Sequence, residues 1–194
     1  MESISVVEDD DERVILLCTD PDSLQPQTPH EQHLLLTTTD ILTWNLPNIL
    51  TFNTLKVQAH RSRLIERSSY FRGLLGRSFS ESCLSSITVK WDIGVFIHIL
   101  KHIYDCVVDV NSENFLPLYE GAFYFGVETL ISKCETWFDE VSSPEGFQSA
   151  QLPMEDMIRI WKFGLEHASD FIVNLCVGCL ARNFVCTQLL DTMA

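Results

Sequence analysis

Apolar and polar residues alternate from Leu55 to Ala59. Leu55, Val57 and Ala59 fall on one face, Lys56 and Gln58 on the other, which is the period of a half-buried strand. Just before it, Asn48 to Phe52 reads as another short strand, with Asn53-Thr54 as a tight turn. The two are expected to pair as a hairpin. The chain then runs through His60 into a helix in which Leu64, Tyr70-Phe71 and Leu74-Leu75 recur at helical spacing, with an end expected near Gly73 to Gly76. A serine-rich connection follows. Ile87, Val89 and Trp91 alternate with Thr88 and Lys90 as a further strand. Asp92 is a good N-cap for a helix carrying Phe96, Ile99, Leu100, Ile103 and Tyr104 on one stripe.

After a polar connector in which Asn111 or Ser112 can cap, residues 114–141 read as a long helical region broken at Gly126. Its first part should bury Leu118, Ala122 and Phe125, its second Leu130, Ile131, Cys134 and Phe138. Tyr119, Phe123 and Tyr124 cannot all face one way, so some should be exposed or lie at an interface. A loop over 142–153 precedes two more helical patterns, Glu155 to Leu165 and Ala168 to Phe184. Upstream, HLLLTTTDILTW offers one strand, and Val14 to Cys18 is a candidate extra edge strand with no fixed partner. The order of parts predicts an α+β fold, a short β-sheet covered by a cluster of α-helices and followed by an α-helical extension. The expected division is an acidic, weakly ordered tail over 1–32, a domain over 33–141 and a partial helical extension over 153–194. The pattern stops without a helix-stop signal, as in the front part of a longer protein or a truncated product.

Composition narrows the function. The 194 residues are 46% hydrophobic, enough for a real core, and carry a net charge of -14. That balance counts against nucleic acid, whose phosphates need a basic face, and against anionic membrane surfaces. The run Glu8 to Glu12 reads as a solvated tail. Seven irregularly spaced Cys, no signal-peptide pattern and no membrane-length apolar run point to a reducing intracellular compartment, cytoplasmic and/or nuclear.

No phosphate-cradling or hydrolase-elbow motif is present in the sequence, so neither catalysis nor a cofactor is expected. Cys176-x-x-Cys179, with His167 and Cys186 nearby, reads as core thiols in apolar surroundings in preference to a zinc site or redox pair. His60, near Ser62 and Glu66, matches no known catalytic arrangement and is taken as a packed or hydrogen-bonded structural residue. Arg61, Arg63, Arg67, Arg72 and Arg77 should form solvated helix faces paired with Glu66 and Glu81.

The ordered set Val57, Ala59-His60, Leu64, Ser69-Tyr70-Phe71, Phe79-Ser80-Glu81-Ser82, Ile87 to Val89, Phe96, Ile103-Tyr104 and LYEGAFYFGVETLISKCETWF resembles the BTB/POZ domain over residues 40–140. The helices after Leu152 resemble the start of a BACK-type extension, and plant BTB proteins with downstream leucine-rich repeats resemble a full-length form. Two departures stand out. Pro47 falls where the family has an Asp at its first strand, and Asp105-Cys106 replaces the usual Thr-Gly after Ile-Tyr.

The resemblance implies a homodimer-forming adaptor that binds a cullin-3-type scaffold and presents a substrate protein, not identified by the sequence, to a ubiquitin ligase. The implied cullin-facing residues are Phe79, Glu81, Phe96, Tyr104, Phe115 and Tyr119. The alternative is a homotypic oligomerisation, scaffold or transcriptional co-regulator module with no ligase link.

Overall fold

The computed structural model describes residues 12–21, 34–76, 85–143 and 154–192, with side chains described as far as residue 181. These fall into two compact units. The first takes in the chain up to Val108 together with Glu120–Glu128, and the second comprises Asp109–Tyr119 and everything from Thr129 onward. The second unit thus joins the connector and the start of a helix to the C-terminal helices, a grouping that the expected split at residues 141 and 153 did not contain.

The first unit is built on a sheet of β1 (Arg13–Thr19), β2 (Leu34–Thr37), β3 (Thr54–His60) and β4 (Ser86–Lys90), in the order β2-β3-β1-β4. β1 pairs antiparallel with β3 and parallel with β4, and β2 pairs parallel with β3. The register sets Val14 opposite Ala59, Leu16 opposite Val57 and Ile87, and Cys18 opposite Leu55 and Val89. All of these side chains are buried, so alternation along three neighbouring strands yields one continuous apolar face.

Helices α2 (Arg61–Arg67), α3 (Ser69–Leu75) and α4 (Ile93–Ile103) bury their apolar stripes in the same unit: Leu64, Phe71, Leu75, Phe96, Ile97, Ile99, Leu100 and Ile103. Each such side chain contributes about 1.5–3 kcal/mol on leaving water. Asp92 caps α4 as expected, accepting the Val95 N–H at 2.7 Å.

Two expectations are corrected. Val14–Cys18 does not form an extra edge strand. It lies in β1, an interior strand of the sheet, inside the stretch read as a weakly ordered tail. Residues 48–52 are not a strand either. Asn45 accepts the Asn48 N–H and Pro47 sits in the first turn of a short helix, α1 (Leu46–Ile49); a side-chain cap followed by an early proline is helix-start chemistry. The hairpin partner of β3 is therefore β1. Their pairing reaches Thr19 opposite Thr54, and residues 20–53 form an insert where a tight turn was expected. Within the insert, HLLLTTTDILTW gives β2 and then a 3₁₀ segment over Thr38–Thr43.

In the second unit, the first residues of α5 (Phe115–Phe125) pack with α6 (Glu128–Ser142). The Phe115 and Phe138 rings stack at 4.9 Å. Asn111 is the cap, its side chain accepting the N–H groups of Glu113 and Asn114. Of the predicted α6 core, Leu130, Cys134 and Phe138 are buried and Ile131 is half-buried. α7 (Met154–Glu166) and α8 (Asp170–Thr192) form a packed pair. Among the described residues no helix is long and apolar enough to cross a membrane.

Candidate functional site

A small set of bonds fixes the end of α5 to the start of α3. Ser68 caps α3 by accepting the Phe71 N–H at 3.1 Å, and its hydroxyl donates to the Phe125 carbonyl at 2.6 Å. The Ser69 N–H donates to the Gly126 carbonyl at 3.0 Å. Gly126 has φ +59, and a Cβ there would lie 1.7 Å from Ser69 Oγ, so only glycine fits. This confirms the helix break expected at Gly126.

The joint gathers aromatic rings in two layers. Phe71, Phe96 and Phe125 are fully buried. Outside them, Trp91 stacks on Tyr124 at 4.5 Å, and Tyr124 lies 5.3 Å from Tyr70. Tyr124 is 49% exposed and Phe123 45%, as the spacing argument required of this group. Burial pushes the Tyr70 hydroxyl up to about 12, with Tyr124 adding to the shift. The layer is therefore a neutral, apolar surface bearing hydroxyl groups, the composition that protein contacts favour.

Beyond the other end of α4 lies a polar cluster. Tyr104 Oη accepts the His60 N–H at 2.7 Å and lies 3.1 Å from His60 Nδ1, with Thr38 Oγ1 at 3.3 Å from the same nitrogen. His60 is thus a hydrogen-bonded structural residue, as expected. Arg63 and Arg67 hold Asp105 at 2.7 and 3.2 Å. The Arg63 hydrogen bond, with help from the Arg67 charge, keeps the Asp105 carboxyl below its ordinary range.

The arginine pairing differs from the expected one. Arg61 is buried and pairs with Glu12, and Arg72 donates to the backbone carbonyls of Ile65 and Glu66. Arg77 and Glu81 lie outside the described residues. Sequence distance hid Asp105, which is 42 residues from Arg63.

In the second unit, Cys176 and Cys179 are buried, and burial pushes the Cys176 thiol up to about 12. Such a thiol is not a ready thiolate ligand or nucleophile. The His167 ring stacks on Phe163 at 4.0 Å. Among the described residues, no group of three His, Cys, Asp or Glu is placed to hold a metal ion.

A family model described as the BTB/POZ domain matches residues 48–142. A BTB/POZ domain-containing protein, FBL11 of Arabidopsis thaliana, is similar at 42% identity over 175 residues, which is 90% of this chain. The chain carries a BTB/POZ domain. It spans only 19% of the length of that relative. The domain is a protein-interaction module, and its fold is the α+β one expected.

Of the six implied cullin-facing residues of this BTB/POZ domain, four are described by the structure. Phe79 and Glu81 lie outside the described residues. Phe96 is fully buried in the first unit. Phe115 and Tyr119 are buried in the second, where the Tyr119 hydroxyl donates to Glu135 at 3.0 Å. These three are core side chains. Tyr104 is half-buried with its hydroxyl engaged by His60. Trp91, read only as the end of a strand, is the surface residue that the sequence reading did not single out. Its signal was position: an aromatic directly before a helix N-cap.

Proposed function

We propose that this BTB/POZ chain is the adaptor arm of a cullin-3-type ubiquitin ligase, contacting the scaffold through Phe79, Glu81 and the aromatic layer of Trp91 and Tyr124. What supports the reading most is that layer. It exposes a half-open aromatic stack on the domain that carries the Phe79-x-Glu81 step, and an apolar anchor beside a carboxylate is a favoured interface pairing. The substrate protein binds elsewhere, and α7 and α8 are the start of a BACK-type extension.

The test is binding of the 194-residue chain to the N-terminal domain of a cullin-3-type scaffold. Wild type is expected to bind. Glu81→Ala, Phe79→Ala and Tyr124→Ala should each weaken binding by about tenfold or more, about 1.4 kcal/mol, with unchanged circular dichroism. A folded wild type that does not bind removes the adaptor reading. The second reading, a homotypic scaffold or co-regulator module, is favoured by one observation, the stretch over residues 34–53, in which Asp40 is the single charged side chain.

A further inference from the structure

The last member of the acidic run Glu8 to Glu12 is tied down. Glu12 pairs with Arg61 at 3.2 Å, and its carbonyl accepts the Arg61 N–H at 3.0 Å. The antiparallel register that sets Arg13 opposite His60 also fixes a direction. Traced backward from Arg13, the chain heads the way β3 heads going forward, toward α2. Residues 8–11, which lie outside the described residues, are therefore tethered at the first residue of α2.

α2 carries charge of the opposite sign to the molecule as a whole. Residues 60–67 hold three arginines and one carboxylate, Glu66, in a chain of net charge -14. The side chains of Arg63 and Arg67 are 39% and 35% exposed and share one carboxylate, Asp105, so that trio keeps a positive charge. Arg67 Nε is buried with no hydrogen-bond partner among the described residues. Lys101 and His102 add basic groups in the last turn of α4, shortly before Asp105.

Reach and charge select the occupant of this face. An extended chain covers about 3.3 Å per residue, so residues 8–11 span about 13 Å from Glu12. α2 rises about 1.5 Å per residue, which puts Arg63 and Arg67 about 3 and 9 Å along the helix from Arg61. Glu8, Asp9, Asp10 and Asp11 thus stand at high effective concentration beside two guanidinium groups. A separate acidic partner approaches a molecule that repels it at long range; the tethered run does not. We infer that residues 8–11 fold back along α2 and pair with Arg63 and Arg67, forming an intramolecular strap across the arginine face. The strap does not depend on the adaptor reading.

Backbone order parameters from amide NMR relaxation on the 194-residue chain test this. In dilute buffer, residues 8–11 of wild type are expected above about 0.6, the value below which backbone counts as flexible. They should fall below it in about 1 M salt, where the Debye length is about 3 Å. Arg63→Gln with Arg67→Gln should loosen the run in the same way. So should neutralising the run itself, by Asp9→Asn, Asp10→Asn and Asp11→Asn together, which leaves α2 untouched. Lys90→Gln, opposite Thr19 at the far end of β1, should change nothing. Wild-type values below about 0.6 in dilute buffer overturn the inference. So does order that survives either the salt, the arginine changes or the neutralised run, and so does order that Lys90→Gln removes.

Discussion

Asp105 and Gly126 adopt the same backbone twist, both at φ +59, yet one is an aspartate and the other a glycine. Each follows closely on a helix end, Asp105 after α4 and Gly126 after α5. The difference is what surrounds the Cα. At Gly126 the space a Cβ needs is already taken by Ser69, and the backbone on either side is spent on bonds to Ser68 and Ser69. At Asp105 the side chain points to solvent and meets two guanidinium groups. Left-handed backbone alone therefore does not demand glycine here. Asp tolerates it by virtue of its short polar side chain, and glycine is required where strain and crowding coincide.

The largest effect expected from breaking this pair is at Gly126. Gly126→Ala adds left-handed strain to a steric overlap and should cost about 3 kcal/mol or more in urea unfolding. A loss well under about 1 kcal/mol would mean that Ser69 yields freely and that crowding is not what selects glycine.

Ser68→Ala comes next. It removes the α3 cap and the donor to the Phe125 carbonyl, for an expected loss of about 1–3 kcal/mol. Because Ser68 is fully buried, water cannot readily replace it, and a neutral outcome would show that the joint is held by ring packing alone.

The smallest effect is at Asp105, where Asp105→Gly trades ion pairs in solvent for relaxed backbone. The melting temperature should match wild type, in contrast to Gly126→Ala. The carboxyl itself should titrate below its ordinary value of 3.8 by NMR, and Arg63→Ala should raise it. The sign is that of a lowered carboxyl pKa. Its contribution is present above the unfolded value and is lost as pH falls through the folded one. An unshifted titration would show that the guanidinium contacts do not persist in solution.

The sequence made some of this legible and hid the rest for physical reasons. Elements whose signals are local were readable: the Asp92 cap, the Asn111 cap, the break at Gly126 and the alternation of Ile87 and Val89. Gly126 announced itself because a glycine inside an otherwise helical pattern marks a break. The partner of β3 did not, since pairing depends on registry across the whole insert, and the apparent turn at Asn53-Thr54 offered a nearer candidate. The cap at Asn45 and the proline two positions on were already in view and favoured α1 over a strand, but the short apolar run read more loudly.

The candidate surface was half readable. Helical spacing required some of Tyr119, Phe123 and Tyr124 to be exposed, and Tyr124 is. Which aromatic it would stack on depended on bringing Trp91 beside it from a distant part of the chain. The implied contacts Phe96 and Phe115 sit on apolar stripes, and spacing alone already made each a core residue in waiting.

The buried thiols have a consequence for how this molecule can be watched. Burial pushes Cys18 in the first unit, and Cys134 and Cys176 in the second, up to about 12. At neutral pH an alkylating reagent finds neither the anion nor access to it until the surrounding structure opens. Each half of the chain thus carries its own chemical clock. The mass gained at Cys18 counts openings of the sheet, and the mass gained at Cys134 and Cys176 counts openings of the helices.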